Sequence, residues 1–181
     1  VIAHRDCLRP PFHSAMITNA TYSGAMLGDG NGWVTAPNGT KFWGTYGAAV
    51  LFLVAGGERV LLQHRATWTA QGGTWGIPGG AIDSHESPAE AAVRETVEEC
   101  AIAPAAVEVW STRVTTEFPG WTYTTVFART PSTLPVQANE ESEELRWVPL
   151  DSVRDYDLHP AFAASLDTVL AHAMGHTVTH D

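Results

Sequence analysis
Positive charge is scarce in this sequence. Ten lysines and arginines stand against twenty aspartates and glutamates in 181 residues, a formal charge of −10. A phosphate backbone is held by clustered Lys and Arg, so a tight binder of nucleic-acid polymers is disfavoured. An acidic chain that nevertheless acts on phosphates needs divalent cations to bridge the like charges. Cysteine is nearly absent as well. Cys7 and Cys100 make neither a disulfide framework nor a zinc spacing, which favours a reducing compartment. They read as a tail thiol and a small helix-packing residue. No apolar run approaches the ~18 residues needed to span a bilayer. No charged start followed by an apolar stretch and a cleavage site marks secretion. A cytosolic domain without membrane contact is expected. Repeats, low-complexity tracts and linkers are missing too, so nothing announces a second domain.

What is present fits one soluble globular domain, with 44% apolar and 17% charged residues. Residues 1–27 show no convincing period and read as an N-terminal arm whose order the sequence leaves open; residues 28–181 read as a single domain. Pro37-Asn38-Gly39 sits between two β-rich runs, a hairpin signal. Tyr46 to Ala55 is nearly all apolar, as in a strand covered on both faces. Gly56-Gly57 turns the chain, and Arg59 to Arg65 returns as a second strand. Thr69 to Gly80 is a loop with a short strand at Thr74 to Ile77. Ser87, Pro88 and Glu90 then form a helix start with a capping box. Ala89, Ala92, Val93, Thr96, Val97 and Cys100 give that helix its apolar stripe, and Pro104 ends the element. Val107–Thr116 and Trp121–Arg129 form a long antiparallel pair around Pro119-Gly120. Leu145–Val148 is a further strand, and a last helix runs from Pro160 to about Met174, burying Phe162, Leu166, Val169 and Leu170. Strands interrupted by a central and a terminal helix predict an α/β or α+β sandwich.

The stretch Gly79–Ile102 concentrates acid on a helix. Glu95, Glu98 and Glu99 stand at spacings that share a face, with the apolar stripe on another side. Carboxylates so close repel one another, and without a counter-ion they destabilise the helix. A hard cation reverses that sign, and carboxylates with water and a carbonyl are the ligand set of Mg²⁺ or Mn²⁺. Glu86 precedes the helix cap, where a loop can bring its carboxylate to the same place. Arg94 can fix a glutamate rotamer through a charge-assisted hydrogen bond. Gly79 and Gly80 allow a tight backbone path whose carbonyl can face a metal. The plain alternative is a solvated helix face.

The full spacing, Gly80-x5-Glu86-x7-Arg94-Glu95-Thr96-x-Glu98-Glu99-x-Ala101-Ile102, resembles the Nudix box of the Nudix hydrolases. Trp75–Gly80, Leu61–Arg65 and Leu145–Val148 resemble that family's flanking elements, so the likeness spans about residues 44–172. It implies a Nudix-type α/β/α sandwich with a mixed central sheet, a catalytic loop–helix and a C-terminal helix. It also implies Mg²⁺- or Mn²⁺-dependent hydrolysis of a nucleoside diphosphate linked to another moiety. Carried over residue by residue, Glu95, Glu98 and Glu99 are metal ligands, assisted by Glu86 and the Gly80 carbonyl, with Arg94 orienting the glutamates. An acid outside the box is expected as base or further ligand, with Glu141 in the matching place and Glu144 and Glu140 as fallbacks. Ala101 departs from the family's usual glycine; activity is expected to survive with a slightly different C-cap.

The substrate is less constrained. The likeness is to the MutT-like branch, which implies a nucleoside triphosphate such as 8-oxo-dGTP. ADP-ribose, a nucleotide sugar and a dinucleoside polyphosphate stay open, as does a non-catalytic nucleotide sensor. Retention of Glu86, Glu95, Glu98 and Glu99 favours catalysis over sensing. Arg65 is a candidate phosphate contact, against a plain surface arginine. Trp75, Trp121 and Tyr123 are candidate stacking groups for a base, against core packing. His64 reads as a packed or hydrogen-bonded histidine. Partners beyond the small nucleotide are not expected, and either a monomer or a homodimer fits.

Overall fold
Strand β3 (Ala48–Ala55) is the axis of the molecule, because its alternate residues are buried in opposite directions. Val50 and Phe52 enter one core with Phe127 and Val148; Ala49, Leu51 and Leu53 enter another with Val126 and Ala128. A period of two in a wholly apolar strand requires a layer on each side. The computed structural model describes residues 28–177; the N-terminal arm expected at residues 1–27 lies outside the described residues, as do residues 178–181.

In chain order, the hairpin β1 (Trp33–Thr35) and β2 (Lys41–Trp43) precedes β3, and β4 (Arg59–Arg65) follows it. Two short strands come next, β5 (Trp75–Gly76) and β6 (Gly79–Ala81), then helix α1 (Pro88–Cys100). The long pair β7 (Glu108–Phe118) and β8 (Trp121–Thr130), strand β9 (Ser142–Pro149) and helix α2 (Pro160–Thr177) complete the order. The sheet is mixed. β3 runs parallel to β8 along its full length and antiparallel to β6, while β4 pairs antiparallel with β9 and β5. β3 and β4 share only two residue pairs before they diverge, Val54↔Val60 and Ala55↔Arg59. Helix α2 covers one face through Phe162, Leu166, Val169 and Leu170. Helix α1 covers the other through Ala91, Ala92 and Cys100. Each large aliphatic or aromatic side chain so buried contributes about 1.5–3 kcal/mol. This is the expected α+β layering around a mixed sheet. Neither described helix is long and apolar enough to cross a membrane.

Three expectations shift. Gly79 and Gly80 do not belong to the loop but form β6, pairing Val50↔Gly79 and Ala49↔Gly80. A Cβ at Gly79 would lie 2.3 Å from the Ala49 carbonyl oxygen, so only glycine lets the two backbones approach. β9 begins at Ser142, inside the acidic segment, because β4 extends its ladder to Arg65 through a bulge. The buried stripe of α1 comprises Ala91, Ala92, Thr96, Glu99 and Cys100, with Val93 and Val97 only half-buried. Glu99 therefore lies on the buried side of the helix, not on a common solvent face with Glu98.

Candidate active site
The site is assembled where α1 lies across β6. Its start is set locally: the Ser87 hydroxyl accepts from the Glu90 N–H (3.2 Å), and the Glu90 carboxylate accepts from the Ser87 N–H (2.8 Å). That reciprocal cap, with Pro88 at the first helical position, fixes the rotation of everything that follows.

Arg94 is the hub of the acids. Its Nε and Nη2 donate to the two Glu86 oxygens at 2.6 and 3.0 Å, a bidentate clamp. Nη1 donates to Glu95 at 2.8 Å, and Nη2 also reaches the Ala81 carbonyl at 3.1 Å. Glu86 in turn accepts from the Asp83 N–H. The loop before the helix is thereby tied to the strand beneath it.

The three glutamates of the helix sit at three depths. Glu98 is out in solvent, its side chain 57% exposed and only 3.6 Å from Arg94 at best. Glu95 is half-buried, and burial pushes its carboxyl above the ordinary range against the pull of Arg94. Glu99 is 3% exposed. Burial, then the charge of Glu95, push its carboxyl up to about 8, although the Gly79 N–H at 3.0 Å and the Gln63 amide favour the carboxylate. A negative charge at Glu99 near neutral pH thus calls for a cation beside it.

Gly80 makes room for the arrangement. A Cβ there would lie 2.7 Å from both Cδ and Oε1 of Glu95, so any side chain would displace that carboxylate. Oxygen donors, carboxyls held above their usual range and a cradle that a methyl would fill together suit a hard divalent cation. Glu95 and Glu99 lie against this cradle, with Glu86 behind them on Arg94, while the Glu98 carboxylate stands apart in solvent.

Of the three acids expected outside the helix, the fold brings Glu141 to the site. Its charge acts on both Glu95 and Glu99. Its backbone is pinned by the Ala66 N–H and by the Asn139 side chain. Glu144 is engaged with Arg146 at 2.6 Å, and the Glu140 carbonyl receives the Trp68 indole N–H.

The candidate substrate contacts separate. Arg65 donates to the Ala70 carbonyl at 3.0 Å, and its charge is felt by Tyr123 and His159. Tyr123 is half-buried, and burial pushes its phenol up. Trp75 does not offer a platform for a base. Its ring is stacked on His64 (4.6 Å, 9°), met edge-on by Tyr156 and crossed by the Arg146 guanidinium 5.0 Å from its centroid. It is 9% exposed and belongs to the α2-side core. His64 also bonds the Gly73 carbonyl, and Trp121 is stacked on Phe42 with its N–H on the Trp43 carbonyl.

Two site features escape a reading of the sequence. Asp83 is buried and accepts from the Gly28 and Gly30 N–H groups, anchoring the segment before β1 to the site loop. Ligand atoms of Asp29, Asp83 and His85 lie within 4.8 Å of one another, the only such trio found among the described residues. Asp29 is taken up there by the Ser84 N–H and hydroxyl. The other feature is Gln63 of β4, 1% exposed, whose Nε2 donates to the Ser142 hydroxyl at 2.8 Å. A glutamine two residues after Leu61, on the stripe facing α1, is the only signal of it in the sequence.

A family model described as NUDIX domain matches residues 45–171. Over 153 residues the chain is 52% identical to a Mycobacterium tuberculosis protein provisionally named 8-oxo-dGTP diphosphatase 3, covering 80% of this chain and 70% of that one. A solved Nudix hydrolase from M. smegmatis, RenU, matches with a TM-score of 0.77 at 46% identity, across 84% of this chain and 99% of that one. An Ap4A hydrolase from C. elegans, 21% identical with a TM-score of 0.59, covers 71% of this chain and 98% of its own, and shares the fold.

Proposed function
Since the chain belongs to the Nudix hydrolases, enzymes that act on phosphoric anhydride bonds, we propose that it cleaves a nucleoside triphosphate of the 8-oxo-dGTP kind, with Mg²⁺ or Mn²⁺. The observation that carries the reaction class is the gathering of Glu95, Glu99 and Glu141 around β6, where two carboxyls are pushed upward and glycine leaves space. The 52% identity to the mycobacterial relative supports the substrate.

In this reading Glu95, Glu98 and Glu99 hold the divalent cation, with the Gly80 carbonyl and Glu86 assisting. The cation supplies charge neutralisation of the diphosphate. Arg94 keeps Glu86 and Glu95 in register through its bidentate clamp. Glu141 takes the proton of the attacking water as its oxygen bonds to phosphorus and the bridging P–O bond breaks. Arg65 contacts a phosphate and Tyr123 lines the base site. The enzyme works in the cytosol as a monomer or homodimer on free nucleotides, and residues 28–181 form one Nudix domain.

Hydrolysis of 8-oxo-dGTP, dGTP, ADP-ribose, nucleotide sugars and dinucleoside polyphosphates, with product analysis, tests the substrate. A clear preference for ADP-ribose or a nucleotide sugar would overturn the triphosphate assignment. Tight nucleotide binding with no phosphate release at high Mg²⁺ or Mn²⁺ would overturn catalysis altogether.

A further inference from the structure
On β4 the residues alternate between the two cores. Val60 and Leu62 face α2, while Leu61 faces α1. Gln63 is the next position on the α1 side and is fully buried, where period-two alternation calls for an apolar side chain. A buried amide is costly unless its polar atoms are partnered. Its Nε2 donates to the Ser142 hydroxyl at 2.8 Å, its amide acts on the Glu99 carboxyl in favour of the charged form, and its Oε1 has no partner among the described residues. An amide left half-satisfied in a core is not there for stability.

Ser142 is itself buried, at the first position of β9. The bulge opposite His64 and Arg65 brings Ser142, not Glu143, into register with β4. Its neighbour Glu141 is anchored through its carbonyl to the Ala66 N–H, one residue past the end of β4. One buried amide therefore bonds the strand start beside Glu141 and acts on the deepest glutamate of α1, on the same face of the sheet.

We propose that Gln63, held by Ser142, is a positioning residue that orients the Glu99 carboxylate for the divalent cation and keeps it in step with Glu141. The inference rests on the reading of Glu99 as a metal ligand. A partner behind a ligand fixes its rotamer, and losing such a partner costs about 10–100-fold in metal affinity.

Mn²⁺ titration of the full chain, with free Mn²⁺ read by electron paramagnetic resonance, tests it. Gln63→Met keeps the volume and removes the amide with its hydrogen bond to Ser142. Its Mn²⁺ affinity is expected to fall about 10–100-fold. Its metal-free melting temperature should be unchanged or raised, since an unpaired buried oxygen is gone. Ser142→Ala, which leaves Gln63 in place, should weaken Mn²⁺ in the same direction and serves if Gln63→Met does not fold. An affinity within about twofold of the unsubstituted chain in the folded variants overturns the inference. Glu98→Gln separates the two levels. If it too leaves Mn²⁺ binding unchanged, or if the unsubstituted chain binds none, the metal reading falls and takes this inference with it. If Glu98→Gln weakens binding and Gln63→Met does not, only the role of Gln63 falls.

Discussion

Helices α1 and α2 cover opposite faces of one sheet, yet they are built from opposite materials. α2 presses Phe162, Leu166, Val169 and Leu170 into its core, and its buried hydroxyl, Ser165, bonds back to the Ala161 and Phe162 carbonyls of its own helix. α1 meets the sheet mainly through Ala91, Ala92, Thr96 and Cys100, small side chains that bring the helix close to β6. Into that shallow contact it inserts Glu99, a carboxyl whose burial works against folding. Large apolar volume thus stabilises one face, while the other gives up packing to bury a carboxyl. Substitutions should divide accordingly, with activity lost on the α1 side and stability lost on the α2 side.

The largest expected effect is on activity. Glu98 is exposed, so Glu98→Gln should change stability by less than about 0.5 kcal/mol. On the proposed role of Glu98 as a metal ligand, its loss should remove several kcal/mol of transition-state stabilisation, a fall in kcat of about 10³-fold. Thermal unfolding and steady-state kinetics on the same sample check both. A variant that melts far below the unsubstituted chain would break the division.

Next comes a pH dependence confined to the α1 side. The Glu99 carboxyl is raised from 4.5 unfolded to about 8 folded. The folded chain therefore holds that proton more tightly, so the group is neutral and harmless below about 4.5 and increasingly destabilising as pH climbs toward 8. At about 1.4 kcal/mol per unit, the loss across the window reaches at most about 5 kcal/mol in metal-free protein. Glu99→Gln should flatten this slope, and saturating Mg²⁺ should do the same in the unsubstituted chain. Urea denaturation at pH 5, 6.5 and 8 reads it directly; parallel slopes in the two proteins would remove Glu99 as the cause.

Phe162→Ala probes the opposite face. Phe162 is 2% exposed, and truncating a buried phenylalanine costs about 3–5 kcal/mol. The melting temperature should fall sharply, while kcat measured well below it should stay near that of the unsubstituted chain. A matching loss of kcat would show that the two faces are coupled.

What the sequence made legible was local. The cap at Ser87 and Glu90, the hairpin turn at Asn38-Gly39 and the two-sided burial of β3 each rest on residues within a few positions of one another. Phe162 and Leu166 follow from helical period in the same way. What was hidden depends on contacts across the chain. Gly79 and Gly80 become a strand only because β3 lies beside them about thirty residues earlier in sequence. Glu99 is turned inward onto the Gly79 N–H of β6, a contact that spacing along α1 does not reveal. Glu141 could be placed beside the box only by resemblance, since the bulge that aims its strand is invisible in composition. Trp75 misled for the same reason: an aromatic in a glycine-rich loop looks free until His64, Tyr156 and Arg146 are found around it.

The smallest effect lies at the end of α1, where the two demands on this helix meet. Ala101 takes the left-handed conformation, φ 57° and ψ 35°, and its N–H closes the last turn on the Val97 carbonyl. The C-cap geometry is thus the one glycine usually supplies, adopted by a residue with a Cβ. The left-handed region costs an L-residue about 1–2 kcal/mol, while glycine's greater freedom when unfolded takes part of that back. Ala101→Gly should therefore raise stability by roughly 0.5–1 kcal/mol, a shift readable in urea. Ala101 is exposed, and it lies two residues beyond Glu99. If the cap only terminates the helix, kcat and Mn²⁺ affinity should stay unchanged in the stabilised variant. A gain in stability accompanied by a loss of Mn²⁺ affinity would mean that the strained cap helps hold Glu99 in place, and that the helix end belongs to the site as much as to the fold.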